Sequence, residues 1–73
     1  MSMNTTVLSI YRDDYMLSYV ENIKKGMKQK DAYDKALSET IDRHNLSYYF
    51  DKEYIEYLKG VKVVEYTETI KLI

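Results

Sequence analysis

His44 is the only histidine of the 73-residue chain, so any imidazole-based acid–base chemistry must start there. A nucleophile–histidine–acid arrangement would need Ser38 or Ser47 beside it. Ser38 lies six residues upstream, on a different helical face. Catalysis by His44 is therefore not expected. It reads instead as a helix-end residue favoured by the negative end of the helix dipole. Asp13 and Asp14 resemble a carboxylate pair, but adjacent residues at a helix start diverge by about 100° and do not converge on one substrate atom. Helix capping is the expectation for them. Asp31, Asp34, Glu39 and Asp42 read as a solvated face. Gly26 and Gly60 are the only glycines and both fit helix stops, so no phosphate-cradling loop is available. There is no cysteine, which excludes disulfides and thiolate zinc sites. The sequence thus points to a non-enzymatic protein with no cofactor and no metal.

The remaining groups suit binding. Lys24, Lys25 and Lys28, in the stretch "KKGMKQK", can face phosphates or an acidic partner surface. Tyr48, Tyr49 and Phe50 stand in a row at a turn. They cannot all point inward from one short connection, and exposed aromatics often anchor interfaces. Ile70, Leu72 and Ile73 close the sequence as an apolar run, either packed in the fold or exposed as a hook. Nine Tyr against one Phe and no Trp suit a thin core or an interface, where one end of the ring stays wet.

These groups must be positioned by a single small domain. A chain of this length buries roughly 60–65% of its unfolded surface. The net charge of −1 supplies no overall attraction to nucleic acid. No basic start followed by an apolar core marks a signal peptide. No run approaches the about 20 apolar residues of a membrane span. The chain reads as cytoplasmic. Its Lys-over-Arg bias and abundant Ile, Tyr and Asn are common in AT-rich genomes, phage genomes among them.

The predicted architecture is mainly α, a small three-helix domain over residues 1–73. Helices are expected at about 13–25, 30–44 and 51–59. A short extended segment, Asn4–Tyr11, is expected before them and an extended tail, 61–73, after them. The two can pair as a two-stranded β-ribbon. In the first helix Met16, Tyr19, Val20, Ile23 and Met27 fall on one face, and Gly26 ends it. In the second, Ala32 and Ala36 permit close approach of a neighbouring helix, and Asn45 ends it. Ser47 or Asp51 caps the third, with Tyr54, Ile55 and Leu58 inward.

The stretch "YVENIKKGMKQKDAYDKAL" is similar in pattern to the small late-transcription co-activators of T-even-type phages. The likeness lies in Val20-Glu21 on a first helix, a short turn, and Asp31-Ala32 opening a second. "TIKLI", Thr69–Ile73, looks like the hydrophobic C-terminal motif of that family. The resemblance implies that helices 1 and 2 grip the flap of a host RNA polymerase β subunit and that the tail docks on a sliding clamp. Two weak contacts on one complex would reinforce each other. The leading expectation is thus a phage-encoded transcription accessory factor. One alternative is an inhibitor of a host enzyme or defence complex, anti-CRISPR-like, whose Tyr and carboxylates occupy a basic nucleic-acid site. Another is a small helix-turn-helix-like DNA-binding regulator, although Asp51, Glu53 and Glu56 on the would-be recognition helix would repel phosphates. Direct nucleic-acid binding is not expected. Self-association is compatible with the Tyr-rich core.

Overall fold

The structure, a computed structural model, describes residues 4–61. Within that range the chain is three helices: α1 (Thr5–Lys24), α2 (Gln29–Arg43) and α3 (Lys52–Lys59). The mainly helical expectation holds there. The tail beyond Val61, with Ile70, Leu72 and Ile73, lies outside the described residues, as does its place in any ribbon.

Asn4–Tyr11, expected to be an extended segment, is instead the N-cap and first turns of α1. Asn4 is the N-cap: its backbone is extended and its side-chain oxygen accepts from the Val7 N–H at 3.0 Å. β-Branched Thr5, Thr6 and Val7 argue weakly for a strand, but packing outweighs so small a propensity. Leu8, Tyr11, Tyr15, Ser18, Tyr19 and Asn22 recur every three or four residues and face the rest of the domain. Asp13 and Asp14 consequently sit in mid-helix and cap nothing.

Both interhelical turns close in the same way. After α1, Gly26 adopts φ +93°, the Met27 N–H reaches the Asn22 carbonyl at 3.1 Å, and the Gly26 N–H reaches Ile23 at 2.9 Å. After α2, Asn45 adopts φ +56°, Leu46 bonds to Ile41 at 2.9 Å, and Asn45 bonds to Asp42 at 3.2 Å. Each is a Schellman motif, with Gly in one and Asn in the other as the left-handed residue. In the second, Ile41 and Leu46 are both buried in one apolar cluster, the contact this motif usually brings.

The core has two parts. Tyr15, Tyr19, Val20, Ala32, Ala36 and Leu58 form the larger; Ile41, Leu46 and Ile55 form the smaller. Tyr11 and Leu37 touch both and join them. Ala32 and Ala36 are fully buried, so their small size lets α1 approach α2 as expected. The space beside them is filled by tyrosine: the Tyr19 and Tyr33 rings stack at 4.2 Å. The seam of α1 is rotated from the expected face. Met16 and Ile23 are only half-buried, whereas Tyr15, Ser18 and Asn22 are buried. Asn22 is accommodated because its amide donates to the Ala32 carbonyl and to Glu39 Oε1, each at 3.3 Å.

Candidate functional site

His44 lies at the α1–α2 contact. The His44 Nε2 is 2.8 Å from Asp14 Oδ2. The same carboxylate oxygen is 3.0 Å from Arg43 Nε, and the Arg43 guanidinium also donates to Ser18 Oγ at 2.6 Å. The Tyr11 ring lies against the imidazole, centroids 5.0 Å apart. Asp14 is therefore the shared partner of two α2 side chains. The imidazole is not assembled with either candidate nucleophile. Ser38 is exposed on α2, and the Ser47 oxygen accepts the N–H groups of Tyr49 and Phe50 at 3.1 Å each. The serine in this cluster, Ser18, meets Arg43 rather than the imidazole, and the arrangement ties the end of α2 to the middle of α1.

The tyrosines at the helix interface show the electrostatic side of burial. Tyr15 has its pKa pushed up to about 12, first by desolvation and then by Tyr33, Asp34 and Tyr19. Tyr19 and Tyr11 are raised in the same direction, again chiefly by burial. All three stay neutral phenols across the physiological range, as packing groups must.

The Lys corner and the aromatic row are separate. Lys24, Lys25 and Lys28 are all exposed at the α1–α2 turn. Tyr48, Tyr49 and Phe50 lie past the other end of α2, whose 15 residues span about 22 Å. One partner surface of ordinary size can still touch both, but they do not form one pocket.

The aromatic row is the most exposed apolar feature among the described residues. Tyr48, Tyr49 and Phe50 are 70%, 81% and 82% accessible. The turn that carries them is tightly held. Ser47 Oγ accepts from Tyr49 and Phe50, Asp51 Oδ2 accepts from the Ser47 N–H at 2.8 Å, and the Asp51 N–H donates to the Ser47 carbonyl at 2.9 Å. This is a capping exchange one turn ahead of α3. Of the two residues expected to cap α3, Asp51 holds the N-cap position but makes no side-chain bond into the helix, and Ser47 secures the turn before it. Tyr49 and Phe50 pack edge to face at 4.9 Å. Three aromatics are presented on a fixed backbone, a knuckle at the head of α3.

Tyr57 was not singled out in the sequence, yet it is 39% exposed on the outer side of α3. Lys52, Glu53, Glu56 and Tyr57 line an open depression of about 640 Å³. On its other side Tyr57 borders a groove of about 760 Å³ between α1 and α3, with Asp13, Met16 and Val61. The signal that could have found Tyr57 is its i+4 spacing from Glu53, opposite Ile55 and Leu58. Among the described residues no helix is long and apolar enough to cross a membrane. The chain matches no known protein family, no curated protein and no solved structure.

Proposed function

We propose that this chain is a non-enzymatic protein-binding module that attaches to its partner through the Tyr48–Phe50 knuckle. The observation that carries the reading is a pair of facts about one turn: three adjacent aromatics are exposed, and the backbone beneath them is tied by reciprocal Ser47–Asp51 bonds. A surface held in one shape loses little entropy on binding, and large aromatic side chains are the usual anchors of interfaces. None of the three rings is turned toward the core of the described residues.

The partner class proposed is a host nucleic-acid machine, with RNA polymerase first, on the resemblance of Tyr19–Leu37 to phage late-transcription co-activators. Of the residues that carry that likeness, Val20 and Ala32 are buried between α1 and α2, whereas Glu21 and Asp31 are exposed. The carboxylates are the members available to a polymerase surface. DNA reading by α3 is the weaker proposal, because Glu53 and Glu56 occupy its outer side.

The test uses the tagged full chain and its Tyr48→Ala/Tyr49→Ala/Phe50→Ala variant as baits in cells of the native host, followed by mass spectrometry. The expected outcome is a partner retained by the wild type and lost by the variant, with unchanged helical circular dichroism. Purified RNA polymerase is the first partner to assay. Equal capture by both baits would remove the knuckle from the interface.

A further inference from the structure

The chemistry of the partner can be taken one step further, on the premise that the knuckle is the docking surface. From Tyr48 to Tyr57 the chain exposes four large aromatics, Tyr48, Tyr49, Phe50 and Tyr57. The buried side of α3 is marked by Ile55 and Leu58. At about 100° per residue, Glu53, Glu56 and Tyr57 lie on the opposite side. The charges on that outermost strip are both carboxylates. Lys52 and Lys59 fall to one flank, and Lys59 Nζ is already 3.3 Å from Glu56 Oε2. That exposed pair is easily exchanged for another cation. The strip continues directly from the knuckle, because the Asp51 N–H bonds to the Ser47 carbonyl and the Ile55 N–H to the Asp51 carbonyl, one turn running into the next.

Aromatic faces and carboxylates side by side suit one kind of group. A guanidinium stacks flat on a ring, where the negative face of the π-system attracts it. Its N–H fork meets a carboxylate edge-on. We propose that the knuckle and the outer strip of α3 together dock an arginine-bearing segment of a partner protein, with arginines lying over Tyr49, Phe50 or Tyr57 and paired with Glu53 and Glu56. Arginine fits better than lysine because only the planar fork makes both contacts at once. The depression lined by Lys52, Glu53, Glu56 and Tyr57 is the place for such a side chain, with its guanidinium on the Glu53–Glu56 side, away from Lys52.

The test titrates the full chain, isotope-labelled, with a synthetic helical peptide carrying arginine at every fourth position. Its twin carries citrulline, which keeps the shape and removes the charge. The arginine peptide should shift the amide resonances of Tyr49, Phe50, Glu53 and Tyr57. The citrulline twin should bind about tenfold more weakly. The Glu53→Lys/Glu56→Lys variant should lose the peptide by a similar factor with its helical circular dichroism intact. Equal binding of the two peptides would overturn the proposal. So would shifts confined to other acidic positions such as Asp31 and Asp34, or a sedimentation profile in which a second copy already covers the strip. If the partner captured in cells is lost by the knuckle variant but kept by Glu53→Lys/Glu56→Lys, docking through the knuckle stands and the arginine assignment falls.

Discussion

At the scale of single residues, polar side chains decide how α1 meets α2. Asp14 accepts from α2 at the Arg43 and His44 side chains, and Asn22 bridges to Ala32 and Glu39. Replacing Asp14 by Ala should cost about 1–2 kcal/mol in chemical denaturation, since it leaves the half-exposed Arg43 and the more buried His44 without their shared acceptor. A double-mutant cycle with His44→Ala should then show coupling, and strict additivity would mean that the short contact contributes nothing. Tyr15 makes the second residue-scale prediction. Its folded pKa of about 12 lies above the ordinary 10, so the folded state holds the phenolic proton more tightly. That contribution is fully present below pH 10 and is lost as pH rises toward 12. Stability followed by denaturant melts should fall over that window by on the order of 2 kcal/mol, and Tyr15→Phe should flatten part of the slope. Tyr11 and Tyr19 are raised in the same direction and add to the same fall.

At the scale of elements, the helix stops were the most legible features. Gly26 and Asn45 stand where a helix must end in a left-handed residue, and both do so. Gly26→Ala tests this without steric complication, because a Cβ there meets nothing within 4 Å. The expected loss is about 1–2 kcal/mol in thermal or urea unfolding, all of it backbone strain at positive φ. Ser47→Ala tests the turn under the knuckle. It should cost about 1 kcal/mol in stability. It should also weaken partner capture, although Tyr48, Tyr49 and Phe50 remain. Capture unchanged by Ser47→Ala would show that the aromatics bind without a preset backbone. The start of α1 was less legible. Local propensity pulls Thr5–Val7 toward an extended chain, while the cap at Asn4 and the recurrence of Leu8, Tyr11 and Tyr15 pull it into the helix. Propensity differences of a few tenths of a kcal/mol per residue yield to burial of side chains worth several times more.

At the scale of the whole molecule, the described residues 4–61 hold two core clusters and three helices. On the hook reading of the tail, deleting Thr69–Ile73 should leave the helical circular dichroism unchanged and remove only a contact made by Ile70, Leu72 and Ile73 with another chain. A collapse of the helical signal would place those side chains in this fold instead. By itself the sequence determined helix stops, the small Ala face of α2 and the crowding that exposes aromatics at a turn. These follow from backbone sterics and from the spacing of apolar residues along one helix, which are local. Only the tertiary structure decided that Asp14 serves α2, that Asn22 is buried, and that Tyr57 extends the knuckle along α3. Those outcomes depend on which face of α1 meets α2. A helix with Met16 and Ile23 on one side and Tyr15, Ser18 and Asn22 on the next can be read either way from hydrophobicity. The choice falls to the second because its polar groups find partners on α2, and an interior hydrogen bond exists only once both helices are in place.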